Sequence, residues 1–251
     1  NPKVRWISLD APLFTSALPA FGATGKVSTA IGSANDTGYA VALQSDGKVV
    51  VAGLSFTGAY SDFALVRYNA DGSLDTNFGA GGKVTTNVAP NTYDDYAQAI
   101  ALQSDGKIVV AGQATTRQNN SNNDIAVVRY NGNGTLDTTF GTGGKVTTYI
   151  GTSDDRARAI VIQPDGKIVM AGAGNALSAF VLARYNSDGT LDNNFGTDGK
   201  IITGIGSSSA AYAVALQPDG NIIVAGSSYN GSDLDFALAR YMGDSPPTVV
   251  S

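Results

Sequence analysis

Three strings of residues return four times each along the 251-residue chain, and no other feature constrains its fold as tightly. ALQSDGKVVVAG at 42–53 comes back as ALQSDGKIVVAG at 101–112, VIQPDGKIVMAG at 161–172 and ALQPDGNIIVAG at 215–226. FALVRYN at 63–69 comes back as IAVVRYN, FVLARYN and FALARYM, beginning at Ile125, Phe180 and Phe236. FGATGKVST at Phe21 returns as FGAGGKVTT at Phe78, FGTGGKVTT at Phe140 and FGTDGKIIT at Phe195. The anchoring glutamines Gln44, Gln103, Gln163 and Gln217 stand 59, 60 and 54 residues apart, which is one structural unit per interval.

Each unit reads as four short strands. The first, typified by Tyr39 to Gln44, alternates small and larger apolar side chains with the period of two that marks a strand. A Ser-Asp-Gly or Pro-Asp-Gly turn leads into the second, Lys48 to Gly53, with the glycine in the left-handed conformation that closes a three-residue hairpin. Phe63 to Asn69 typifies the third strand and Lys83 to Asn87 the fourth. Four strands per unit, repeated radially, predict an all-β, four-bladed β-propeller of antiparallel blades. The first strands would converge on the axis, where space is scarce, and Ala40, Ala42, Ala99, Ala101, Ala159, Val161, Ala213 and Ala215 fall there. The repeats begin with a fourth-type strand, Lys26 to Ala30, and end with a third-type strand, Phe236 to Tyr241. Their pairing is expected to complete the last blade and close the ring, removing an exposed sheet edge.

The organisation follows: an atypical segment over 1–20, the propeller over 21–242, and a tail over 243–251 whose Pro246 and Pro247 suit an extended linker. The chain opens on Asn1 rather than Met, which fits a processed product or an excised fragment. All 21 acidic residues are Asp, His and Cys are absent, and 31 residues are Gly, a mix that disfavours helices and supplies turns. A formal charge of −5 with no basic cluster argues against a nucleic-acid partner. No apolar run approaches the ~20 residues that span a bilayer as a helix.

The strings IQPDGKIV at Ile162, FALARY at Phe236 and LDTTFGTGGK at Leu136 resemble the delta-60 repeat of bacterial β-propeller proteins, and the resemblance covers about residues 21 to 242. It implies the propeller fold and a secreted or cell-surface setting, and no particular activity. Two departures stand out: the fourth copy lacks its own outer segment, and residues 1–20 match poorly.

Groups that repeat in every copy point to structure, because a catalytic group is rarely needed four times. Arg67, Arg129, Arg184 and Arg240 of the third strands, with Asp75, Asp137 and Asp192 of the Leu-Asp turns, are expected to tie strand to loop as buried ion pairs. Phe78, Phe140 and Phe195 are expected to plug the gaps between blades, with the neighbouring glycines bending the chain.

Function should lie where the copies differ: the loops 56–62, 114–124, 174–179 and 227–235, all expected on one face. Beside the axis on that face, equivalent positions carry Asp36, Asp95, Asp155 and Ser209, followed three residues later by Tyr39, Gln98, Arg158 and Tyr212. Two readings stand side by side. The carboxylates cap loops through bonds to backbone N–H groups, or they line a shallow acidic and aromatic mouth for a sugar or a cation. Oxygen ligands suit a hard ion, so Ca2+ is the cofactor to test and no other is implied. Without His, Cys or Glu, catalysis would fall to Asp, Lys, Tyr or Ser, with Asp94, Asp95, Asp154 and Asp155 able to supply a carboxylate pair.

The sequence is therefore read as a non-catalytic extracellular or cell-surface binding or adhesion module. Its site would be Asp36, Tyr39, Asp95, Gln98, Asp155, Arg158 and Tyr212, its partner a carbohydrate or a protein. A propeller hydrolase or lyase, and an architectural spacer in a larger surface protein, are the alternatives.

Overall fold

A computed structural model describes residues 21–89, 93–116, 123–151, 154–174 and 178–243. The atypical segment 1–20, the tail beyond Gly243 and residues 90–92, 117–122, 152–153 and 175–177 lie outside the described residues. Blade 1 holds β1 (Asp36–Leu43), β2 (Val49–Phe56), β3 (Ser61–Tyr68) and β4 (Lys83–Thr86). Blade 2 holds β5 (Asp95–Leu102), β6 (Ile108–Thr115), β7 (Asn123–Tyr130) and β8 (Lys145–Thr148). Blade 3 holds β9 (Arg156–Ile162), β10 (Ile168–Gly174), β11 (Ala179–Tyr185) and β12 (Lys200–Thr203). Blade 4 has β13 (Ser208–Leu216), β14 (Ile222–Tyr229) and β15 (Leu234–Tyr241). Within each sheet the strands pair in sequence order and antiparallel, so every blade is a meander.

The Asp-Gly turns adopt the expected geometry. Gly47, Gly106, Gly166 and Gly220 have φ between 83° and 86°, and in the first turn Gly47 N donates to Gln44 O at 3.0 Å. Strands β1 and β2 both run three residues further toward the variable face than the pattern predicts.

Blades stack through three apolar clusters. Val50, Ala52, Phe63 and Leu65 of blade 1 pack on Ala97, Ile108, Val110 and Val128 of blade 2. Val109, Ala111, Ile125 and Val127 of blade 2 repeat the arrangement on blade 3, and Val169, Ala171, Phe180 and Leu182 of blade 3 repeat it on blade 4. Alternation along each strand sends one set of side chains to the blade before, or in blade 1 to residues 21–31, and the other to the blade after, which is why β3, β7 and β11 are buried along their whole length.

The outer side of each joint is held by the arginine. Arg67 Nε donates to Asp75 at 2.9 Å, Arg129 Nε to Asp137 at 2.7 Å, and Arg184 NH2 lies 2.8 Å from Asp192, all buried. The same guanidinium reaches the next blade, Arg67 donating to Gly132 O and Arg129 to Ser187 O. Each also lies over the ring of the buried plug, Phe78, Phe140 or Phe195, at 4.4, 4.5 and 4.4 Å from the centroid. The structural tie expected for these arginines is present in three blades; Arg240 is exposed. Behind each plug the chain must turn tightly: a Cβ at Gly79, Gly141 or Gly196 would lie 2.2 to 2.4 Å from the carbonyl oxygen of the lysine four residues on.

Ring closure is the expectation that the structure does not bear out. Among the described residues the blade 4 sheet has three strands, and residues 26–30 form no ladder with β15. Residues 21–31 instead lie against blade 1, with Gly22 N bonded to Asp71 O at 2.7 Å and Tyr68 Oη to Thr29 Oγ1 at 2.8 Å. Among the described residues, the hydrogen bonds that hold this segment come from blade 1. Val41 and Leu43 on β1, and Leu234, Phe236 and Leu238 on β15, are exposed as a result.

Candidate functional site

The inner strands carry an irregularity that the sequence reading did not foresee. The pairing of β1 with β2 slips between Gly38 and Ala40, of β5 with β6 between Ala97 and Ala99, of β9 with β10 opposite Ala171 and Gly172, and of β13 with β14 between Ala211 and Ala213. The unpaired residue is Tyr39, Gln98, Arg158 or Tyr212. Each is a β-bulge, a device that re-aims a side chain out of the ladder. Opposite each bulge stands the glycine of the repeated Ala-Gly string. A Cβ at Gly53, Gly112, Gly172 or Gly226 would lie 1.8 to 2.0 Å from the carbonyl oxygen of Thr37, Tyr96, Arg156 or Ala210. A glycine inside a strand is the sequence signal for such a close approach.

The bulge residues form a row along adjacent inner strands. Tyr39 and Tyr212 are each 54% exposed. Arg158 reaches the next blade, its guanidinium 4.4 Å from the centre of the Tyr212 ring, and hydrogen bonding from Arg158 lowers the Tyr212 phenol below its ordinary value. Gln98 Nε2 donates to Gln113 Oε1 at 3.4 Å. Burial is the main reason the Tyr96 phenol is raised, and the Asp94 carboxylate adds to the rise. A second aromatic pair, Tyr60 and Tyr93, bridges blades 1 and 2 with centroids 5.9 Å apart, and only the YSD and TYDD loop strings hinted at it.

The aspartates do different work. Asp36 accepts from Ile31 N at 2.8 Å and Gly32 N at 3.2 Å, Asp95 from Val88 N at 2.7 Å, and Asp155 from Ile150 N at 2.9 Å and Gly151 N at 3.2 Å. Ser209 takes the same part with Ile205 N at 3.3 Å. Each closes the loop that leads into its own blade, and Asp95 and Asp155 are fully buried in doing so. Burial would raise Asp36, yet the bonds from Ile31, Ser55 and Gly32 outweigh it and its carboxyl sits below the ordinary value. For Asp95 burial wins: its pKa is pushed up to about 6, with the charge of Asp62 adding to the rise. Asp94 and Asp154 accept from Ser61 N at 2.7 Å and Asn123 N at 2.9 Å of the preceding blade. The carboxylates named as a catalytic pair therefore each hold a backbone N–H. Among the described residues no three Asp side chains form a group able to hold a metal ion.

A family profile described as "Domain of unknown function (DUF5122) beta-propeller" matches residues 44–78, 103–140, 163–195 and 217–245, together more than half of the chain. The chain belongs to the DUF5122 β-propeller family. Each matched stretch runs from the Gln before the Asp-Gly turn to, or just past, the third strand or the plug phenylalanine, so the profile covers the second and third strands of every blade and the arginine joint of blades 1 to 3. It leaves out the inner strands and their bulges. No curated protein matches the sequence.

Among solved structures, a protein of unknown function from Bacteroides caccae is 14% identical over 81% of this chain, with a TM-score of 0.46. An α-L-arabinofuranosidase from Clostridium thermocellum is 10% identical over 80% of this chain and 68% of its own, with a TM-score of 0.41. A gluconolactonase from Xanthomonas campestris is 12% identical over 80% and 56%, with a TM-score of 0.39. The chain spans 60% of the Bacteroides protein's length.

Open depressions of about 610, 420 and 400 Å³ lie against the outer strands β8, β12 and β4. Their recurrence beside Lys145, Lys200 and Lys83 marks them as a product of the repeat.

Proposed function

We propose that this chain is a non-catalytic binding module of a secreted or cell-surface protein, and that its ligand is a carbohydrate held across the inner-strand bulges. One observation carries the reading: four bulges at equivalent positions present four side chains that differ, Tyr39, Gln98, Arg158 and Tyr212, on a backbone that otherwise repeats. A bulge costs ladder bonds in every blade. A half-exposed tyrosine beside an arginine offers an apolar face to a sugar ring and donors to its hydroxyls. Asp94, Asp95, Asp154 and Asp155 each accept a bond from a backbone N–H, the part of a loop cap, which favours a binding over a hydrolytic role.

Glycan-array screening of the purified chain, followed by calorimetry on the best hit, tests this. Tyr39→Ala and Tyr212→Ala should each weaken binding about tenfold, the worth of one lost ring contact. Binding that persists in the double variant, or no glycan bound at all, would remove the bulges as a site. EDTA should leave affinity unchanged, since Asp36, Asp95 and Asp155 each serve a separate loop; a loss on chelation would revive the Ca2+ reading.

A further inference from the structure

The two ends of the blade row are the two halves of one joint. On the blade 4 side, Phe236 and Leu238 occupy the positions that Phe63 and Leu65 hold in blade 1 and Phe180 and Leu182 hold in blade 3. Those four are fully buried under the following blade, whereas Phe236, Leu238 and the adjoining Leu234 are exposed. On the blade 1 side, Val41 and Leu43 are the counterparts of Ile100 and Leu102, which pack on blade 1, and of Val214 and Leu216, which pack on blade 3. Both are exposed.

A segment equivalent to the fourth strand that blade 4 lacks among the described residues lies at the other end of the row, on blade 1. Thr86, Thr148 and Thr203 of the outer strands each accept or share a bond with the third-strand tyrosine of the next blade, Tyr130, Tyr185 and Tyr241, at 2.8, 2.8 and 2.9 Å. Thr29 makes the same bond to Tyr68 at 2.8 Å. Gly22 N bonds to Asp71 O as Gly79 N bonds to Asn133 O and Gly141 N to Asp188 O. Residues 21–29 thus lie on blade 1 as the outer segment of a preceding blade would, without a sheet of their own.

We propose that two copies of this chain join head to tail, blade 4 of one receiving blade 1 of the next. The occupant is a blade of this same type because three internal joints show what such a face takes: Phe63, Ile125 and Phe180 are each covered by the inner strand and second strand of a following blade. A second copy brings residues 26–29 with it as the fourth strand. The register follows from the three complete blades, in which Phe63 pairs with Thr86, Ile125 with Thr148 and Phe180 with Thr203. Phe236 of one copy then pairs with Thr29 of the next, and Leu238 with Val27. The joint covers both exposed faces and satisfies the open edge of β15. Its two surfaces differ, so it is heterologous and propagates beyond a dimer unless the rotation closes a ring.

Light scattering across a range of protein concentration should give a mass that rises to at least twice that of the monomer. Phe236→Asp and Val41→Asp should each lower the assembly to the monomer, while an equal mixture of the two variants should form a dimer, because each keeps the surface the other has lost. The chain has no Cys, so Val27→Cys and Leu238→Cys can be placed singly. Mixed and oxidised, the two single variants should give a cross-linked pair, a readout that survives if either Asp variant misfolds. A mass that stays monomeric at every concentration, or a double-cysteine chain whose disulfide forms within one molecule at high dilution, overturns the proposal; the second result would mean that the chain closes on itself.

Discussion

The outer joints and the inner bulges both recur in each blade, yet one region keeps its chemistry and the other changes it. At the joints the set is the same in blades 1 to 3, an arginine, an aspartate and a phenylalanine ring, and Arg67 and Arg129 also bond a carbonyl of the following blade. At the bulges only the backbone is kept, and the side chain is Tyr, Gln, Arg and Tyr in turn. A buried charge leaves no freedom, since its partners must all be present. A half-exposed side chain on an unpaired residue costs little to change, so variation collects there. The difference separates what stacks the blades from what they display.

The sharpest way to break that contrast is to remove the backbone device the display depends on. Gly172→Ala would drive a Cβ to 1.8 Å from Arg156 O, a backbone atom that cannot yield without moving β9. The expected loss is about 4 kcal/mol, at the upper end for overpacking, and chemical denaturation would measure it. A stable variant would mean the bulge at Arg158 can relax into a regular ladder.

Arg129→Ala should come next. It strands the buried Asp137 carboxylate, the Ser187 carbonyl and one face of Phe140, for a loss of about 3 kcal/mol. Burial would raise Asp137, but the bonds from Thr139 and the charge of Arg129 outweigh it and hold the carboxyl low. An unchanged denaturation midpoint would place that guanidinium in water.

Asp95→Asn tests a loop cap that titrates. Its folded pKa of about 6 exceeds the ordinary 3.8, so the folded chain holds this proton to higher pH than the unfolded chain does. The stability it contributes is present below the unfolded pKa and is lost as pH rises through the folded one. Stability of the native chain relative to the variant should therefore fall by about 3 kcal/mol between the two pKa values. A pH-independent difference would show the carboxyl to be solvated.

Tyr212→Ala should have the smallest effect on folding, within about 0.5 kcal/mol, because the ring is half exposed and packs on Arg158 alone among the bulge residues. A large destabilisation would turn the bulge residues into structural groups and erase the contrast with the joints.

Much of this was written along the chain. Strand order, the Asp-Gly hairpins and the arginine joints follow from local strings, because turn chemistry and period-two alternation act over a few residues and recur with each copy. The positions of Tyr39, Gln98, Arg158 and Tyr212 were also legible, as the places where the copies disagree. That Asp36, Asp95 and Asp155 turn inward to hold loops, while the residues three places on turn out, could not be read from their spacing. A register slip flips which face a side chain takes, and the slip depends on the second strand's glycine meeting a carbonyl across the sheet. Closure was not legible for a related reason. Complementary strand types at the two ends were visible in the sequence, but whether they meet depends on where each blade's packing directs the next, and that is set by the side chains filling all three joints together.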